Sequence, residues 1–230
     1  MNKCLCYNCG KILGIEDVTV EHIPAKNLYE GYSEEYKQNR ITVPACLECN
    51  NFYSKIDQEI RDVLAVINDD INQKTSLTQK GIRSIMRKSN WKDRTFIDEK
   101  GNVVAVNFSY QDLKQIHIKN FKGLFLKKYG FPLPNDFKID IITVGDEDKL
   151  QSVEEMSHYL RINKSFECSG HPDVFKFIIS DITPDEITNA LYESRDFDKL
   201  IAIIGLFIYH NSLEVFIMAM KEKYIDKAKS

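Results

Sequence analysis

The 230-residue chain is short of the features that mark membrane and secreted proteins. No eighteen consecutive residues are apolar, which argues against a spanning helix. The opening stretch "MNKCLCYNCGK" has no apolar leader core. Proline (6) and glycine (10) are few, and neither an internal repeat nor a low-complexity linker interrupts the chain. Trp91 is the only tryptophan, and it reads as a core residue rather than a base-stacking one. These absences lead us to expect a cytoplasmic protein with no membrane partner. In such a compartment the six cysteines serve as thiolate ligands or free thiols rather than disulfides.

What is present is enough for a core. The hydrophobic fraction is 43%, and the length suits one large domain or two small ones. The net charge of −3 does not by itself suggest a nucleic-acid binder, but charge is unevenly spread. Residues 1–60 carry 6 Lys+Arg against 9 Asp+Glu, residues 61–130 carry 14 against 7, and residues 131–230 carry 11 against 18. A segment of +7 between acidic ends is compatible with a phosphate-contacting surface, and equally with a solvated helix face.

The cysteines are the most specific feature. Cys6 and Cys9 form one CxxC pair, and Cys46 and Cys49 form a second. Two such pairs supply four thiolates at tetrahedral zinc spacing, and Gly10 permits a tight turn after the first. A redox CxxC needs no second pair. Cys4 is an alternative to Cys6, although Cys6–Cys9 has the usual spacing. Cys168 stands alone and reads as a buried or free thiol.

Between the pairs lies "VTVEHIP" (18–24). Val18, Thr19 and Val20 favour a strand, and Pro24 ends regular pairing because it has no N–H. Glu21 and His22 therefore sit at a strand end. On a regular strand they face opposite sides, and the break at Pro24 is expected to let both serve one site. After Cys49, "SKIDQEIRDVLAVIND" has helical spacing, with Ile56, Ile60, Leu64 and Ile67 on one face.

The order of these pieces resembles the HNH endonucleases, whose active site is a zinc-stapled ββα-metal unit. The matching residues are "CYNCG" (6–10), "EHIP" (21–24), "NRITVPACLECNN" (39–51) and "SK" (54–55), within the first sixty residues. The resemblance implies that His22 is the first catalytic histidine, that Asn39 is the middle Asn, and that Asn50 occupies the place of the final histidine. It places Glu21 where Asp is commoner. The implied activity is hydrolysis of phosphodiester bonds in nucleic acid, in the first place DNA. A neutral imidazole suits the general base, and Mg²⁺ or Mn²⁺ suits the oxygen donors of Glu21 and Asn50. The Asn39 amide, or a backbone carbonyl, is expected to steady the ring of His22. A non-catalytic zinc module that binds nucleic acid or a protein is the other reading.

The remaining sequence extends this picture. Residues 74–94 are basic, and Arg83, Arg87 and Lys88 with Lys55 are the expected phosphate contacts. Residues 94–109 read as a hairpin turning at Lys100-Gly101-Asn102, and residues 110–130 as a helix ended by Gly130. That helix adds Lys114, Lys119, Lys122, Lys127 and Lys128 to the basic segment, and His117 reads as a surface residue. His158, His171 and His210 read as structural or solvent-facing. "FKIDIITVG", "VFKFIIS" and "LIAIIGLFIYHNSLEVFIMAM" read as antiparallel strands, with Tyr209–Ser212 as a turn. The expectation is an α+β protein. Its N-terminal HNH-like unit (1–90) holds structural zinc, and an α+β domain of helices and antiparallel sheet (91–230) follows. A protein partner or a second copy of the chain is left open.

Overall fold

In the computed structural model the described residues are 4–67, 81–87, 93, 95–99, 103–107, 109–143, 150–182 and 200–228. The expected α+β architecture is present. At the N-terminus, β1 (Cys4–Leu5) and β2 (Ile12–Leu13) form a short antiparallel knuckle. A second hairpin pairs β3 (Thr19–Ile23) with β4 (Ile41–Ala45). Helix α1 (Leu47–Ile67) follows at once. It begins earlier than its apolar spacing suggested, so Cys49 and Asn50 lie in its first turn. Glu48 in that turn complements the helix dipole.

The β3–β4 pairing persists through Ile23↔Ile41, and the peptide bond before Pro24 is cis. The strand stays regular, so its residues alternate: Glu21 is buried and Val20 is exposed, with His22 half-buried. The break at Pro24 therefore comes too late to turn Glu21 and His22 to one side.

Residues 81–86 are helical, and β5 (Thr95–Ile97) pairs with β6 (Val103–Val106) in the expected hairpin. Its turn, like Lys88 and Trp91, lies outside the described residues. Helix α2 (Tyr110–Tyr129) has the expected bounds: the Ser109 side chain accepts from the Asp112 N–H, and Gly130 closes the helix at φ 80°.

A five-stranded antiparallel sheet completes the fold, in the order β7-β11-β10-β9-β8. Its strands are β7 (Phe137–Thr143), β8 (Glu167–Cys168), β9 (Phe175–Ile182), β10 (Ala202–Tyr209) and β11 (Leu213–Lys221). The β10–β11 turn places His210 and Asn211 at positive φ, 47° and 54°, the geometry that favours twisted hairpins. All eight β10 residues are buried. Ile203 and Phe207 join one core cluster, and Ile204 and Leu206 join another with Leu160 of α3 (Leu150–Asn163). The sheet is thus covered on both faces.

The first of these clusters runs from Cys6 and Tyr7 through Ile116, Phe121 and Phe125 of α2 to Ile217 of β11. Helix α2 is the layer between the N-terminal hairpin and the sheet. A Cβ at Gly123 would lie 2.5 Å from Ile23, so glycine is what permits helix and strand to approach there. The loop before β9 clasps the hairpin end. The Ser169 hydroxyl donates to the Ile23 carbonyl and accepts from the Ile41 N–H (2.8 Å), and the His171 N–H donates to the Tyr36 carbonyl (3.1 Å).

Candidate functional site

The four cysteines of the two CxxC pairs come together. The Sγ atoms of Cys6, Cys9, Cys46 and Cys49 all lie within 4.8 Å of one another, and Cys9 Sγ and Cys46 Sγ are 3.9 Å apart. A zinc tetrathiolate with bonds of about 2.3 Å has sulfur–sulfur edges of about 3.8 Å. The donor set therefore fits a zinc ion in size and in chemistry. Cys4 pairs with Leu13 across the knuckle and is outside this group, whereas Cys6 is in it.

Backbone geometry builds this site. The Cys6 N–H bonds the Lys11 carbonyl, the Gly10 N–H turns back to the Cys6 carbonyl, and Gly10 adopts φ 72°. The Tyr7 N–H donates to the Pro44 carbonyl at 2.9 Å, stitching the knuckle to β4. Burial raises the Cys6 thiol, but N–H groups of Cys9, Cys46 and Asn8 outweigh it and bring it down to about 7. Burial pushes the Cys49 thiol up.

Beside the cysteines lies a polar interior that the sequence did not reveal. Lys119 of α2, taken as part of a basic surface, is fully buried. Its ammonium donates to Asp57 Oδ2 at 2.6 Å and lies 3.0 Å from Glu21 Oε1. The Glu21 Oε1 also accepts from the His22 N–H at 3.0 Å. Among the described residues, Glu21 Oε2 and Asp57 Oδ1 are buried without a hydrogen-bond partner. Two carboxylates thus face one ammonium. Burial, opposed by Lys119, raises the Asp57 carboxyl to about 6.

His22 occupies the other side of β3, opposite Thr42. Partial burial, then the nearby charges of Arg40, Lys26 and Lys119, hold its imidazole below the ordinary value of 6.5. The ring is therefore neutral at pH 7. Asn39 lies just before β4 at φ 55°, exposed, with its carbonyl accepting from the Gly170 N–H. Among the described residues its amide makes no hydrogen bond to His22. Asn50 is half-buried in the first turn of α1, its N–H bonded to the Cys46 carbonyl at 3.0 Å.

Of the expected phosphate contacts, Lys55, Arg83 and Arg87 lie among the described residues, and Gln58 of α1 bonds Ser84 next to Arg83 at 3.2 Å. Lys55 is exposed on α1, and Arg83 and Arg87 are exposed one helical turn apart. His117 is a core residue rather than a surface one. It is 1% exposed and bonded to the Tyr209 hydroxyl at 3.1 Å, and burial brings its imidazole down to about 3. His210 is buried against the Tyr32 hydroxyl at 2.8 Å, His171 stacks on Tyr36, and His158 is exposed. Cys168 is exposed. Among the described residues no helix is long and apolar enough to cross a membrane.

Compared with known protein families, with curated proteins and with solved structures, the chain matches none.

Proposed function

We propose that the chain is a metal-dependent endonuclease of the HNH type, acting on nucleic acid and in the first place on DNA. The observation that carries this reading is the setting of His22. A half-buried, neutral imidazole projects from a β-hairpin that is followed directly by a helix, with four clustered cysteines at the junction. Neutral imidazole accepts a proton from water at pH 7, as a general base requires. Arg40 and Lys26, whose charges act on His22, would attract a phosphodiester to the same place.

Zinc at Cys6, Cys9, Cys46 and Cys49 is the structural ion of this reading. The divalent ion, Mg²⁺ or Mn²⁺, is the one the resemblance implies. The resemblance puts its donors at Glu21 and Asn50, but Glu21 lies on the buried face of β3, opposite His22, so of the two only Asn50 is left as a donor for an ion beside the imidazole. When bound, such an ion neutralises charge developing on the phosphate and leaving oxygen. Lys119 holds Glu21 Oε1 on that buried face.

A second reading is a zinc module that binds nucleic acid without cutting it. Asn50 in place of a final histidine favours it. Incubation of the pure protein with plasmid and single-stranded substrates, in Mg²⁺, Mn²⁺ or EDTA, separates the two. Cleavage that needs the cation and is lost in His22→Ala supports the nuclease. Binding without cleavage in every condition overturns it.

A further inference from the structure

Helix α2 reaches the cysteine cluster through a chain of contacts. Lys122 Nζ donates to Asn8 Oδ1 at 3.1 Å and to the Asn8 carbonyl at 3.3 Å, across 114 residues of sequence. The Asn8 Nδ2 donates in turn to Cys49 Sγ at 3.3 Å. The Tyr53 hydroxyl also donates to Asn8 Oδ1, at 3.4 Å. Both functions of the Asn8 amide are therefore engaged, its N–H on a sulfur and its oxygen on an ammonium and a phenol. An amide polarised this way is a stronger donor to sulfur.

We propose that Lys122 and Asn8 form an outer shell of the zinc site, so that α2 sets how firmly the four thiolates hold their ion. The proposal rests on the reading of the cysteine cluster as a zinc site. Four thiolates around Zn²⁺ carry a net charge of −2. Lys122 sits on the protein side of that charge, half-buried, where an ammonium is screened less than at the surface. The N–H from Asn8 withdraws electron density from Cys49 and lowers its nucleophilicity toward protons, oxidants and competing metals. Lys122 and Asn8 act through Cys49, so they are positioning residues.

The test is the rate at which zinc passes from the purified, zinc-loaded full chain to a chromogenic chelator. Lys122→Met keeps the apolar stem and removes the charge, Lys122→Arg keeps the charge, and Asn8→Ala removes the N–H to sulfur without altering α2. Lys127→Ala, exposed on the same helix, is the control. Outer-shell changes typically alter metal affinity by about 10–100-fold. We expect release faster by that order in Lys122→Met and in Asn8→Ala, release near the parent rate in Lys122→Arg, and no change in Lys127→Ala. Thermal unfolding of each zinc-loaded variant shows whether loss of fold is responsible. If Lys122→Met does not fold, Asn8→Ala decides alone. Parent-rate release from a folded Lys122→Met or Asn8→Ala overturns the proposal and leaves zinc binding standing. A parent protein without zinc overturns both.

Discussion

Lys119 and Asp57 form an ion pair of 2.6 Å with the lysine wholly inside the protein. The pair joins α2 to α1, and Glu21 adds β3 to the same ammonium. Desolvating three charged groups is costly, and the return depends on keeping all of them together. Removing one partner of such a group typically costs about 3–5 kcal/mol. Lys119→Met should therefore lower unfolding stability by that order in urea titration, although methionine fills a similar volume. A variant as stable as the parent would mean that the two carboxylates take up protons freely.

Asp57 gives the cluster a pH dependence of defined sign. Its carboxyl titrates at about 6 in the folded chain against an ordinary 3.8. Between these values the folded state holds the proton more tightly than the unfolded state. The group's contribution is thus most favourable below about pH 4 and declines as pH rises to about 6. The span is on the order of 3 kcal/mol, from about 1.4 kcal/mol per pH unit. Asp57→Asn should flatten the stability profile over that window relative to the parent.

On the nuclease reading proposed above, His22 is expected to set the acid limb of cleavage. Its imidazole is held below 6.5, so activity should persist to a pH below that value and fall only as the ring protonates. Arg40→Gln removes a charge that disfavours the imidazolium, and the limb should move to higher pH. His22→Ala should reduce the rate by about 10²–10⁴-fold with zinc content unchanged. Rate–pH profiles of the three proteins check this.

Gly123 offers a test in which two effects have opposite sign. In an open helix, Gly→Ala gains about 1 kcal/mol. Here the new Cβ would meet Ile23 Cδ1 and Cγ1 at 2.5 Å, and overpacking typically costs about 1–3 kcal/mol. We expect Gly123→Ala to destabilise, and Ile23→Ala in the same chain to remove most of that added cost. Thermal unfolding of the single and double variants measures the coupling.

Cysteine substitutions should divide cleanly. Elemental analysis is expected to find about one zinc per chain in the parent and in Cys4→Ser, and none in Cys49→Ser. Zinc retained by Cys49→Ser would remove that residue from the ligand set.

Features carried by local pattern were legible in the sequence. The CxxC spacing singled out the four clustered cysteines because ligands that share an ion impose a short repeat. Gly130 marked the end of α2, and the turn residues Tyr209–Ser212 marked the β10–β11 hairpin. Lys119 and His117 were misread because α2 is covered on two sides, by the hairpin and by the sheet, and so lacks a polar face on which a surface lysine is recognised. Helix α1 misled in the opposite way. Leu47 and Phe52 are exposed, whereas Asp57, Arg61 and Asp62 are buried. Arg61 is held there by Asp62 and by Glu30 Oε2 at 3.1 Å. Polar groups that satisfy one another indoors leave no hydrophobic signature.

The hairpin clasp bears on the order of events during synthesis. Ser169 closes the end of the β3–β4 ladder by bonding Ile23, 146 residues earlier in the chain. A ribosome adding roughly 5–20 residues per second needs on the order of ten seconds to cover that distance. Cys6, Cys9, Cys46 and Cys49, which could hold a metal ion, are all synthesised while the nascent chain is short. The bonds that Ser169 makes to the end of the β3–β4 hairpin form only after the loop before β9 has left the exit tunnel.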